Sequence, residues 1–193
     1  MVFVSAMEPE NYQINIINQY YKLVTEFERL SDYATNIDES ARYLHENNLS
    51  FSETAINELK ILQKLLDEIL DHSKQAFLKR DVAAAKHIEP LEEVMDDLVN
   101  ALHDNHLDRL RDGLCSVQTG TSFLDILSNI ERISDTCSNI GVSTISRVDP
   151  SIAEKAHYYT SSLHQGYDDT YNLEYHNAHK EFFDLLSKNG SAE

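Results

Sequence analysis

Glu28-Arg29-Leu30-Ser31-Asp32-Tyr33-Ala34-Thr35-Asn36-Ile37 returns 103 positions later as Glu131-Arg132-Ile133-Ser134-Asp135-Thr136-Cys137-Ser138-Asn139-Ile140. Both copies hold the frame Glu-Arg-x-Ser-Asp-x-x-x-Asn-Ile. One constant offset of more than half the chain reads as an internal duplication with one copy per half. Around the first copy, Ile16, Tyr20, Leu23, Phe27, Leu30, Ala34, Ile37, Ala41 and Leu44 alternate in steps of four and three. That spacing predicts one long helix from about Glu8 to Glu46 with a single packing seam. Glu, Asp and Asn at i, i+4 and i+8 then share one helix face, about 40° apart per step. Two carboxylates so placed repel by roughly 0.2–0.5 kcal/mol. A divalent or trivalent cation is the natural compensation.

Working outward, the chain of 193 residues is long enough to bury a core as one domain or two small ones. Lys and Arg number 16 against 33 Asp and Glu, a net charge of -17. Phosphate backbones and anionic membrane surfaces would be repelled, so neither nucleic acid nor direct membrane insertion is expected. Three prolines and five glycines are too few for a loop-rich chain, and the helical periodicity elsewhere points to an all-α fold. Cys115 and Cys137 show no metal-type or redox-type spacing, and no leader-like segment or apolar run of about 18 residues is present. The expected setting is the cytoplasm.

The second helix opens at Ser52, Glu53 and Thr54, with the stripe Ala55, Leu59, Leu62, Leu66, Ile69, Ser73 and Ala76. Asp81 caps a third, with stripe Ala84, Ile88, Leu91, Met95, Leu98 and Leu102. Pro90 inside that pattern either kinks the helix or lies in the first turn of a segment beginning at 87–89. A bend is expected within 106–120. Beyond it Phe123, Leu127, Ile130, Ser134, Cys137, Gly141 and Thr144 restore the seam. Asp149-Pro150-Ser151 reads as a turn, and Gly166 separates two last helices, roughly 151–165 and 167–188. Three helices per half, joined by short connections, predict two tandem antiparallel three-helix bundles over residues 1–105 and 106–193.

With Phe27 and Ile130 as seam references, the repeated acids face away from their own bundles. Glu92 and Asp96 stand at the same angles relative to Leu91. If the first and third helices are neighbours, Glu28, Asp32, Glu92 and Asp96 surround one site. Glu131 and Asp135 mark a second, poorer one, because the last helix lacks a Glu-x-x-x-Asp partner. Carboxylate sets suit hard cations such as magnesium, calcium, manganese and iron, and are less typical of zinc. His103/His106 and His176/His179 are spaced for chelation but read as ordinary helical surface. Nothing in the chain nominates a nucleophile or general base. A solvated acidic face accounts for a single Glu-x-x-x-Asp pair; repetition with Arg and Asn in place favours a site.

Glu-Arg-x-x-Asp followed by Asn-Ile, once per half of a six-helix chain, resembles the PhoU family of phosphate-transport regulators, and Glu92-x-x-x-Asp96 resembles its third-helix motif. The stretches 88–96, 106–115 and 120–140 are similar to the PhoU-like domain at the cytoplasmic C-terminus of bacterial sodium-dependent phosphate cotransporters. Tyr33 and Thr136 depart from the His that often follows the motif Asp there. The resemblance implies a non-enzymatic regulator of phosphate uptake holding iron, zinc, magnesium or manganese. The implied partner is a membrane phosphate transporter or its sensor kinase, and a homodimer is compatible with it. The expected chain is then a cytoplasmic fragment of a larger transporter, or a stand-alone version. The rival expectation is an acidic helical adaptor that binds a protein without specific metal. A di-metal enzyme inside the bundle is disfavoured, since the acids point outward.

Overall fold

The computed structural model describes residues 11–148, 160, 161, 163–166 and 168–190. All regular structure there is helical: α1 Asn11–Glu46, α2 Glu53–Lys79, α3 Val82–Lys86, α4 Ile88–Arg111, α5 Val117–Val148 and α6 Asp169–Gly190. The expected turn at 149–151, and most of the expected helix over 151–165, lie outside the described residues.

Local chemistry sets the boundaries. The Ser52 hydroxyl accepts from the Ala55 amide, and the Asp81 carboxylate accepts from those of Ala83 and Ala84, satisfying donors that a helix start leaves open. Asp168 does the same for Thr170 and Tyr171 at the start of α6. Gly113, at φ 73°, ends α4: its amide bonds Leu110 and that of Leu114 reaches back to Arg109. Pro90 sits in the first turn of α4, where no intrahelical donor is lost. The chain therefore breaks at His87 into α3 and α4 instead of kinking.

α5 is the axis of the molecule, packing against α1, α2, α3 and α4; α6 lies on α2 and α4. Every residue of the expected α5 seam, from Phe123 to Thr144, is buried. Thr119, Ile126, Ile133, Thr136, Ser138 and Ile145 are buried too, so α5 is enclosed on more than one side. Gly141 permits this: a Cβ there would stand 2.9 Å from Ile88 Cδ1 and 3.1 Å from the Ala85 carbonyl. Leu62, Met95 and Leu102, from one side of the expected division at 105/106, share a hydrophobic cluster with Phe123, Leu127 and Phe182 from the other.

α1 differs from expectation in its seam. Leu23 and Leu44 are buried and Ile16, Leu30 and Ile37 half-buried, but Tyr20, Phe27, Ala34 and Ala41 are exposed, and Ile17, Gln19, Glu26, Tyr33 and Ser40 are half-buried beside the stripe. The reason is the surface it meets. Tyr20 accepts a hydrogen bond from Arg147, the Arg132 guanidinium lies 5.8 Å from the Tyr33 ring centre, and Asn36 donates to Asn129 at 3.0 Å. Polar groups of α5 thus occupy one edge of the contact. These three pairings also fix direction: α1 rises as α5 descends. The duplicated phrases cross at the same level, Ser31–Asp32 beside Ser134–Asp135.

Candidate metal centre

From His87 onward α4 carries Glu89, Glu92, Glu93, Asp96 and Asp97 within its first three turns. Helical spacing sends Glu89, Glu92 and Asp96 along one side and Glu93 and Asp97 along the next. The first side meets α5. Ligand oxygens of Glu92, Asp96 and Asp135 all lie within 4.8 Å of one another. The second side meets α6, where the Tyr175 hydroxyl donates to Asp97 at 2.6 Å. That bond to a carboxylate, together with burial, pushes the Tyr175 phenol up to about 12.

Burial and mutual repulsion dominate the electrostatics of the α4–α5 cluster. Glu92 is pushed far above the carboxylate range, first by burial, then by the charges of Glu89 and Asp96, with a hydrogen bond to Asp135 in the same sense. Asp96 is raised from 3.8 to about 6 by burial, then by Glu131 and Asp135. Glu131 is raised by burial and by Asp135, offset in part by Arg132. Each of these groups favours its neutral form, and the hydrogen bond between Glu92 and Asp135 offsets part of their repulsion. The Asp96 Oδ1 is buried with no hydrogen-bond partner, an arrangement that costs free energy unless something binds that oxygen. This donor set fits a cation: Glu92, Asp96 and Asp135 would hold it, with Glu131 beside them, and oxygen ligands alone suit magnesium, manganese or iron.

The structure groups the expected residues differently from their sequence pairing. Glu92 and Asp96 meet Asp135, with Glu131 close by. Glu28 and Asp32 are exposed on α1 and join neither of the ligand groups found among the described residues. The physical reason is that α5 lies against α4 while α1 makes no comparable contact with it, so the first and third helices are not neighbours. Hence the second copy of the phrase, expected to be the poorer, is the one that acquires partners.

Sequence reading also passed over Glu89 and His164. Glu89 is three residues before Glu92 on the same face, a signal hidden by its role as a first-turn acid ahead of Pro90. Nothing in the sequence marks His164. His106 and His179 serve packing: His106 is buried against Phe123 with Gly120 beneath it, and His179 stacks on Phe183 at 4.1 Å. Cys115 and Cys137 are free thiols.

An acidic cluster bridging α4 and α5 of an all-helical chain is the feature to set beside known proteins. Residues 59–144 match the PhoU domain. That span holds Glu92, Asp96, Glu131 and Asp135 and leaves Glu28, Asp32 and His164 outside. The chain is 23% identical over 137 residues to the phosphate-specific transport system accessory protein PhoU homolog 1 of Thermotoga maritima, covering 71% of this chain and 58% of that protein. The PhoU homolog of Streptococcus pneumoniae is 23% identical over 138 residues, covering 71% and 62%. That of Aquifex aeolicus is 27% identical over 99 residues, covering 51% and 43%. The chain thus spans about three fifths of the length of the first two and less of the third. No solved structure matches it. Among the described residues no helix is long and apolar enough to cross a membrane.

Proposed function

We propose that this chain is a metal-dependent regulatory unit of phosphate transport, an accessory protein and not an enzyme. The observation that carries the reading is the convergence of Glu92, Asp96 and Asp135 from two helices around a buried, unpartnered Asp96 oxygen. A cation there replaces the proton on Glu92 and neutralises Asp96, converts repulsion between α4 and α5 into attraction, and fixes their relative position. The PhoU match over 59–144 and the names of the relatives supply the phosphate context. The partner on this reading is a membrane phosphate transporter or its sensor kinase. The sequence resemblance favours a sodium-dependent phosphate cotransporter, of which this chain would be the cytoplasmic PhoU-like part.

Element-resolved metal analysis of the purified chain beside Asp135→Ala, Asp96→Asn and Asp32→Ala tests the reading. Metal content should be the same in the parent and in Asp32→Ala and lower in the other two, with helicity unchanged in all. Equal metal content in the parent and Asp135→Ala defeats it. The exposed Glu28 and Asp32 favour a second reading, an acidic adaptor surface for a basic partner. Partner binding that fades steadily with added salt and ignores metal supports it over the first.

A further inference from the structure

Next to the carboxylate triad lies a second group with different chemistry. Ligand atoms of Glu89, Glu92 and His164 fall within 4.8 Å of one another. Glu89 is 7% exposed. One of its oxygens accepts a hydrogen bond from Ser138 on α5, and the other is 3.0 Å from His164 Nε2. The opposite imidazole nitrogen, Nδ1, stands 3.3 Å from Glu93. In the metal-free chain Nε2–H donates to Glu89; with Nδ1–H held by Glu93, release of the Nε2 proton would leave its lone pair toward Glu89 and Glu92. Such an outer carboxylate is the usual support of a metal-binding histidine. Ser138 fixes Glu89 in the same way.

A separate observation points to a ligand. The Tyr171 side chain, on α6, is 7% exposed, and its hydroxyl is buried without a hydrogen-bond partner. Its ring stacks on that of His164 with centres 5.9 Å apart, and the charges that act most on the hydroxyl are those of Glu93, Glu89 and Glu92. A buried phenol normally finds an acceptor. Here it is a donor held in reserve beside the histidine and the acids.

We propose that Glu89, Glu92 and His164 form a second cation compartment, joined to the Asp96/Asp135 compartment through Glu92, in which the Tyr171 hydroxyl donates to a metal-bound water. It rests on Glu92 being a ligand, as in the reading above. One imidazole nitrogen among carboxylates shifts preference from magnesium toward borderline first-row ions such as Zn²⁺, Fe²⁺ or Co²⁺. The two compartments therefore differ in selectivity: oxygen alone on the α5 side, oxygen and nitrogen on the α6 side.

The test counts Zn²⁺ bound to the full chelator-stripped chain after ultrafiltration in excess Mg²⁺, with circular dichroism confirming the fold of each variant. The parent should bind two equivalents. His164→Ala and His164→Gln should each keep one, Asp135→Ala should keep one, and Glu92→Gln should keep none. His176→Ala, on the surface, should keep both. Tyr171→Phe should keep two but weaken the His164-dependent one by about ten-fold, the lower end for loss of an outer-shell partner. Co²⁺ loading should give a visible absorption band that His164→Gln removes and Asp135→Ala retains. An equal Zn²⁺ count and affinity in the parent and both His164 variants overturns the inference while leaving the Asp135 reading intact. Loss in the His164 variants with no loss in Asp135→Ala upholds the inference and removes that reading. No bound metal in the parent removes both.

Discussion

Replacing Asp96 by Asn removes one charge from the α4–α5 cluster with almost no change of shape, and the structure sets both sign and size of the effect. Asp96 titrates at about 6 in the folded chain against an ordinary 3.8, mainly through burial and then through Glu131 and Asp135. The folded state therefore holds this proton more tightly than the unfolded state. Stability is fully present below about pH 4 and is lost as the pH rises to about 6. Two units at 1.36 kcal/mol each would cost about 3 kcal/mol. Asp96 is only half-buried, so solvent screening reduces this to about 1.5 kcal/mol. Urea unfolding of the chelator-stripped chain, followed by circular dichroism between pH 4 and 7, should show a loss of that order in the parent that Asp96→Asn is spared. At pH 7 without metal, the variant should be the more stable protein. Added cation should reverse the ranking: at a hundred times its dissociation constant it stabilises the parent by about 2.7 kcal/mol and gives Asp96→Asn far less. If Asp96→Asn is the less stable protein at pH 7 in the absence of metal, Asp96 is a structural anchor and the cation argument fails.

Three further outcomes test the surrounding framework. Arg109 pairs with Glu58 at 2.7 Å, and Glu58 is 2% exposed, so Arg109→Met strands a buried carboxylate and should cost about 3–5 kcal/mol in urea unfolding. A Cβ on Gly120 would stand 2.8 Å from His106 Nε2, so Gly120→Ala should cost about 1–3 kcal/mol, with much of the loss recovered in a double variant carrying His106→Ala. Tyr175→Phe removes the 2.6 Å hydrogen bond to Asp97 and should lower stability by about 1–2 kcal/mol without changing the metal count.

Helix type and most boundaries were legible because they follow from local rules. Ser52 and Asp81 act through their own neighbours, and the seams of α2, α4 and α5 repeat every three to four residues. The assembly of the helices was not legible, because it depends on surfaces distant in sequence. Helical angles relative to Leu91 predict that Glu92 and Asp96 face outward, whereas both are half-buried toward α5, a helix enclosed on several sides. The α1 seam failed where its edge met Arg132, Asn129 and Arg147, polar partners that no apolar periodicity can foresee. The buried Glu58–Arg109 pair and the His164–Glu89 contact span 51 and 75 positions and leave no local trace.

The antiparallel pairing of α1 and α5 sets the two copies of the repeated phrase shoulder to shoulder, the second with Ile133, Ser134 and Cys137 buried and Asp135 exposed beside Glu92 and Asp96, the first with Glu28 and Asp32 open to water. On the proposed reading, a tilt of α5 on cation capture would pass through the Tyr20–Arg147, Tyr33–Arg132 and Asn36–Asn129 pairings to α1, the helix that carries Glu28 and Asp32. Spin labels on α1 and α4, with their separation compared before and after loading with metal, would read that movement directly.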